Sequence, residues 1–363
     1  MDFQPSTRTT ELLARLRAFL AAEVAPIERD YLRALHHEHG HGDFHRWRVP
    51  AIMDALKARA RAAGLWNLFL PDANLGAGLT TLEYAPLAEE MGRHLMAPEI
   101  FNCSAPDTGN MEVLWKYGSD AQKAAWLRPL LDGEIRSVFC MTEPEVASSD
   151  ATNLQATALA DGNDVVVNGR KWWSTGLGHP RARIAIVMAR TPNESADRHH
   201  QHSMVLVPLD AKGVHIERML PVYGDYDPPH GHGEVRFESV RVPKENVIAG
   251  LGMGYEIAQG RLGPGRIHHC MRCIGAAEAA LGLMVDRAVA RSAFGKPIVN
   301  LGGNRERIAE ARVAIDQARL YTLYAAHRLE EVGAMAAMAE ISAIKIIAPS
   351  MLERIVDDAI QMH

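Results

Sequence analysis

Four short segments hold the residues best suited to chemistry. In the first, Phe139-Cys140-Met141-Thr142-Glu143-Pro144-Glu145-Val146-Ala147-Ser148-Ser149-Asp150, small and hydroxylated residues follow an apolar run. A strand ending this way can present hydroxyls and backbone N–H groups to a flat polar ring and a pyrophosphate. The second, Asn168-Gly169-Arg170-Lys171-Trp172-Trp173-Ser174-Thr175-Gly176, sets paired tryptophans beside hydroxyls and a glycine. That pattern can wall one side of an aromatic cofactor and supply a donor to a ring nitrogen. The third, Arg261-Leu262-Gly263-Pro264-Gly265-Arg266, is expected to open a long helix, and the fourth, Arg291-Ser292-Ala293-Phe294-Gly295-Lys296, to close it. On that helix Arg291 and Phe294, three apart, would share a face and could hold a phosphate and stack an adenine. Each segment alone has an ordinary explanation: a polar loop, core tryptophans, or a solvated basic helix end. Their joint occurrence, in this order, is what points to a site.

The elements that must position these segments follow from periodicity. From Thr9 to about Asp132 apolar residues recur at helical spacing, as in Leu12, Leu13, Leu16, Phe19 and Leu20, which predicts a helical bundle. Between Arg136 and about Pro243 come short β-branched runs such as DVVVNG, ARIAIVMA and EVRFESVRV, and Asp161-Gly162-Asn163 reads as a hairpin connector. From Gly252 onward helical spacing returns in IGAAEAALGLMVDRAVARSAF and RERIAEARVAIDQARLYTLYAAHRLEEV. The expectation is an α+β fold of three domains: a helical domain over 1–135, a β-barrel domain over 136–245 and a helical bundle over 246–363.

Of the 363 residues, 47% are hydrophobic and 23% charged, the balance of a soluble globular protein with large cores. A net charge of −5, with both signs interspersed, gives no reason to propose nucleic acid or an anionic membrane as partner. The N-terminal residues lack the pattern of a signal peptide, and no apolar run is long enough to span a bilayer. Four cysteines in a chain of this length do not suggest a disulfide framework, and a reducing cytoplasm is expected.

Met-Thr-Glu-Pro followed by Ser-Asp, then Asn-Gly-x-Lys-x-Trp, then Arg-x-x-Phe-Gly, resembles the signature regions of the acyl-CoA dehydrogenase family, over nearly the whole chain. The Ser-Ser-Asp spelling, the Trp-Trp pair and Gly-Pro-Gly-Arg-Ile-His-His resemble the branch that in vertebrates is fused behind phosphotransferase-like domains. The resemblance implies an FAD enzyme that dehydrogenates a fatty acyl-CoA and passes electrons to an electron-transfer flavoprotein. It suggests longer, hydroxylated acyl chains, and a homodimer or homotetramer. By the same resemblance Phe139, Met141 and Thr142 should lie along the flavin, and Ser148 and Ser149 near its pyrophosphate, with Ser149 also near the thioester. Trp173 should cover the flavin with Ser174 beside it, and Thr175 should point at N5, the atom that receives hydride. Arg291 and Phe294 should hold the FAD of a neighbouring subunit, and Arg266 should lie close to the acyl-CoA.

The sequence departs from the family at the catalytic base, the carboxylate that removes the α-proton. Most members carry it near the C-terminus, and a minority just before the arginine matched by Arg266. That second position here is Gly265, so the base is expected beyond His363, in a natural chain that continues. At Leu301-Gly302, members often have a Gln or Glu that helps to bind the adjacent subunit's FAD. Two alternatives use the same fold: an oxidase or monooxygenase, or an acyl-CoA-binding homologue lacking the base.

Weaker signals have bland explanations. His36, His37, His39, His41 and His45 match no ordered metal motif and read as a solvated loop, as do His230 and His232. No metal is expected. Cys270 and Cys273 read as core thiols of a buried helix, and His268 and His269 as helix packing or the lining of an acyl pocket.

Overall fold

The computed structural model describes residues 3–192 and 197–363. The helical spacing at the start of the chain gives α1 (Thr7–Phe19), α2 (Glu28–His39), α3 (Ala51–Ala62), α4 (Thr81–Gly92), α5 (Ala97–Ile100), α6 (Asp107–Tyr117), α7 (Asp120–Gln122) and α8 (Arg128–Leu131). Local chemistry fixes several starts: the Ser6 hydroxyl accepts from Thr9 N–H at α1, and Thr80 and Glu83 form a capping box at α4. The β-branched runs become β1 (Arg136–Cys140), β2 (Thr157–Asp161), β3 (Asp164–Thr175), β4 (Ala182–Arg190), β5 (His202–Pro208), β6 (Val214–Met219) and β7 (His232–Pro243). The chain returns to helix in α9 (Gly254–Ala290), passes through the short ladder of β8 (Ser292–Ala293) and β9 (Lys296–Pro297), and continues as α10 (Gly302–Ala336) and α11 (Met338–Met362). Helices, then sheet, then helices is the α+β order expected from the sequence.

By contacts the chain forms two units. The first comprises residues up to Glu28 with Lys57–Phe101 and Gly263–His363. Inside it α4 and α9 approach so closely that a Cβ on Gly275 would stand 1.9 Å from the Glu89 carbonyl oxygen, so only glycine fits there. Arg319 on α10 ties the same helices together by pairing with Glu89 and Glu278.

The second unit comprises Arg29–Leu56 and Asn102–Leu262 and contains the curled seven-stranded sheet. Strand order is β1-β4-β2-β3-β7-β6, with β5 on the other side of β4. β2 and β3 meet at the Asp161–Asp164 pair, so Gly162 and Asn163 form the expected two-residue hairpin, with φ of +60° at Gly162. Val138, Val165, Val187, Val235 and Phe237 build the core, joined by Trp47, whose indole N–H donates to the His39 carbonyl.

Three expectations need correction. Arg261–Arg266 does not open α9: the helix starts at Gly254 and carries Pro264 inside it. Arg291–Lys296 is not helical, because Phe294 and Gly295 both have positive φ (52° and 74°), which makes the segment the turn of the β8–β9 hairpin. Arg291 and Phe294 therefore share no helical face. Finally, His36, His37 and His39 belong to the last turn of α2 rather than a loop.

Candidate active site

The site begins with an irregularity in β3. Its pairing with β7 shifts between Val167 and Gly169 and again between Lys171 and Ser174, and Trp173 adopts a φ of 52°. A bulge of this kind breaks the alternation of side chains across a strand. Lys171 (0% exposed) and Ser174 (1%), three residues apart, both turn inward, while Trp173 between them is 42% exposed.

Lys171 then fixes its surroundings. Its ammonium donates to Glu143 Oε1 (2.8 Å), the Met141 carbonyl (2.9 Å) and the Met188 carbonyl (2.6 Å). All three of its hydrogens are thereby used. Glu143 also accepts from the N–H groups of Gln155 (2.7 Å) and Ala156 (3.0 Å). Burial pulls the Lys171 ammonium below its ordinary value, and the Glu143 carboxylate opposes that pull. An unpaired charge buried here would cost several kcal/mol, on the order given for lone buried ions, so the pair sustains itself only as a pair. Immediately outside it, Trp172 N–H donates to the Thr142 carbonyl at 3.0 Å. Met141–Thr142 and Trp172–Thr175, separate in sequence, thus form one edge.

At the end of β3, Thr175 lies opposite His232 of β7, and Thr175 Oγ1 is 2.9 Å from His232 Nδ1. His232 Nε2 in turn lies 3.7 Å from Asp227 Oδ2, and its ring stands 6.3 Å from that of Trp173. His232, expected in a loop, is the first residue of β7. Only the strand register, which runs through a bulge, reveals the pairing. An exposed indole, the exposed Thr142 and a hydroxyl held from behind make an edge that fits a planar aromatic group with polar margins.

The other expected residues are spread more widely. Phe139, half-buried on β1, lies under the Arg261 guanidinium, 4.0 Å from the ring centroid. The same guanidinium acts electrostatically on Glu112 of α6, a group that sequence reasoning missed. Burial pushes Glu112 up to about 8, against the attraction of Arg261, and lowers Arg261 to about 10, against Glu112. Ser148 accepts from Glu143 N–H at 2.8 Å, so its hydroxyl braces the loop, and Ser149 beside it is exposed. The Ser174 side chain is buried rather than open at the edge.

In the other unit, Arg266 donates to Met338 Sδ at 3.4 Å, and Arg291 to the His363 carbonyl at 2.9 Å. Phe294 is 91% exposed on its hairpin. His268 packs edge-on against Tyr84, and burial pushes its imidazole down to about 3. Cys270 is buried and its thiol pushed up to about 12, as suits a core thiol.

Two clefts occur elsewhere in the sheet unit. One of about 460 Å³ is lined by Glu143, Arg170, Arg236 and Phe237 among others, and one of about 320 Å³ by Phe44, Trp47, His179 and Ile216. Neither includes Met141, Trp173 or Thr175. Among the described residues no group of three or more His, Cys, Asp or Glu is placed to hold a metal ion, and no helix is long and apolar enough to cross a membrane.

The acyl-CoA dehydrogenase N-terminal, middle and C-terminal domain families match residues 6–134, 138–240 and 252–363. Acyl-CoA dehydrogenase family member 11 of Mus musculus is 51% identical over 362 residues, which are 99% of this chain and 46% of that protein. The chain thus spans about half the length of the curated vertebrate relatives it matches. A solved structure from Mycobacterium abscessus superposes with a TM-score of 0.96 at 58% identity, covering 99% of this chain and 89% of that one. The FAD complex of PigA shares the fold, with a TM-score of 0.82 at 21% identity, covering 100% and 88%.

Proposed function

The chain belongs to the acyl-CoA dehydrogenase family, and on that premise we propose that it oxidises a fatty acyl-CoA thioester to the trans-2-enoyl-CoA, with FAD as cofactor and an electron-transfer flavoprotein as electron acceptor. The observation that supports this reading is the contact of Met141–Thr142 with Lys171 and Trp172, on the bulged strand that also carries Trp173 and Thr175. FAD, when bound, supplies the hydride acceptor.

The chain's own residues do the rest. Trp173 offers a flat apolar wall, and the hydroxyls of Thr142 and Thr175 offer hydrogen bonds to polar ring atoms, Thr175 to N5. Lys171 and Glu143 hold that edge in place. Ser149 is assigned to the pyrophosphate and thioester, and Arg266 to the acyl-CoA. Arg291 and Phe294 are assigned to the FAD of a neighbouring subunit, which makes a homodimer or homotetramer part of the proposal. A reducing cytoplasm is part of the same proposal. Loss of the α-proton needs a carboxylate. At Gly265, where a minority of the family carries one, an added Cβ would meet nothing within 4 Å, and no residue of this chain is assigned that role.

The test is an anaerobic titration with acyl-CoAs of increasing chain length, followed by flavin absorbance. Bleaching by one or more acyl-CoAs is expected of a complete enzyme. A flavin-bearing protein that none of them bleaches refutes the dehydrogenase reading for this chain, and a colourless one refutes the cofactor assignment as well.

A further inference from the structure

We propose that His232 is a positioning residue that sets the direction of the Thr175 hydroxyl, and so decides whether Thr175 offers a hydrogen or a lone pair to a flavin lying against it. The inference rests on the proposed function, which assigns Thr175 to flavin N5, and adds a residue to it. A hydroxyl has one hydrogen and directs it one way at a time. Thr175 Oγ1 lies 2.9 Å from His232 Nδ1, so one of the two is the donor.

The contact is built into the backbone. Thr175 and His232 are register partners of β3 and β7, which keeps the two side chains together without relying on long, mobile linkages. On its far side the ring faces Asp227, whose Oδ2 stands 3.7 Å from Nε2, and the Trp173 ring lies along its flank at 6.3 Å. When Nδ1 carries a hydrogen, it donates to Thr175 Oγ1 and leaves the hydroxyl hydrogen for another partner. When Nδ1 is bare, the hydroxyl donates to it and has only a lone pair to offer elsewhere. Oxidised flavin presents an unprotonated N5, which needs a donor, whereas reduced flavin presents an N–H, which needs an acceptor. An imidazole can back either arrangement by exchanging its own hydrogen, which an aliphatic neighbour cannot do.

The experiment uses the full chain and measures the dissociation constants of oxidised and chemically reduced FAD, taking their ratio. Neither value requires turnover. His232→Leu should shift that ratio by about 3- to 10-fold, the effect of one hydrogen bond, and Thr175→Val should shift it comparably. The double variant should go no further than Thr175→Val alone, because the two residues act through one hydroxyl. His232→Asn places an amide near the position of Nδ1 and should stay within about twofold of wild type, while His232→Gln reaches the Nε2 position instead and should behave like the leucine variant. That polar pair carries the test if His232→Leu does not fold. An unchanged ratio in both the leucine and glutamine variants, or effects that add in the double variant, overturns the proposal. A wild-type chain that holds no FAD overturns the functional reading and this inference with it, a failure visible before any variant is made.

Discussion

At Glu112, burial outweighs the attraction of Arg261 and holds the carboxyl near 8, against an ordinary value of 4.5. The folded state therefore prefers the protonated acid. The stability this group contributes is complete below about pH 4.5 and is lost as pH rises through about 8. Glu112→Gln should accordingly raise stability at pH 8 by roughly 1–3 kcal/mol and change it little at pH 4.5. Urea denaturation at the two pH values checks this, and equal effects at both would count against a neutral Glu112. Thr175→Val should slow flavin reduction with the fold intact, and unchanged reduction kinetics would remove Thr175 from its assigned role. Of these residues Thr175 was legible in the sequence, because it sits inside a recognisable motif. His232 was not, since its meaning depends on a partner 57 positions away. Glu112 was silent for a related reason: nothing in its own helix shows that it is buried within the field of Arg261.

Among the elements, β3 concentrates the most consequence. Lys171→Met would leave Glu143 buried without its cation, which should cost about 3–5 kcal/mol, whereas the double variant Lys171→Met/Glu143→Gln should recover a large part of that loss. Chemical denaturation of the three proteins decides the matter, and strictly additive losses would show that the two charges do not depend on each other. On α9, Gly265→Ala meets nothing within 4 Å and should stabilise by about 0.5–1 kcal/mol, measured as a rise in melting temperature. Element type was readable from period and turn chemistry, as the Gly162–Asn163 hairpin shows. Element limits were less so. Pro264 and its flanking glycines looked like a helix start because each is a poor helix former, yet α9 runs through them. Phe294–Gly295 looked helical by spacing, although positive φ at both positions makes it a turn.

For the molecule as a whole, the order of helices, sheet and helices was legible because each stretch keeps a single period over scores of residues. The way distant segments share one contact unit was not, since residues up to Glu28 and those after Gly263 carry no mark of their association. The assembly proposed around Arg291 and Phe294 belongs to this scale. Arg291→Ala should lower the FAD-to-protein ratio of the purified protein and loosen the oligomer, and absorbance together with sedimentation measures both. Full FAD content in an unchanged assembly would mean that the β8–β9 hairpin has no part in the cofactor site. The Lys171 hub has a further consequence for how this protein would score in a survey of every substitution. An ion that no reactant touches shapes the working edge, so positions 171 and 143 should rank in an activity screen as high as any residue in contact with the chemistry. A parallel screen for abundance should separate the two classes: substitutions at Lys171 and Glu143 deplete the protein itself, whereas Thr175→Val leaves it plentiful but slowed.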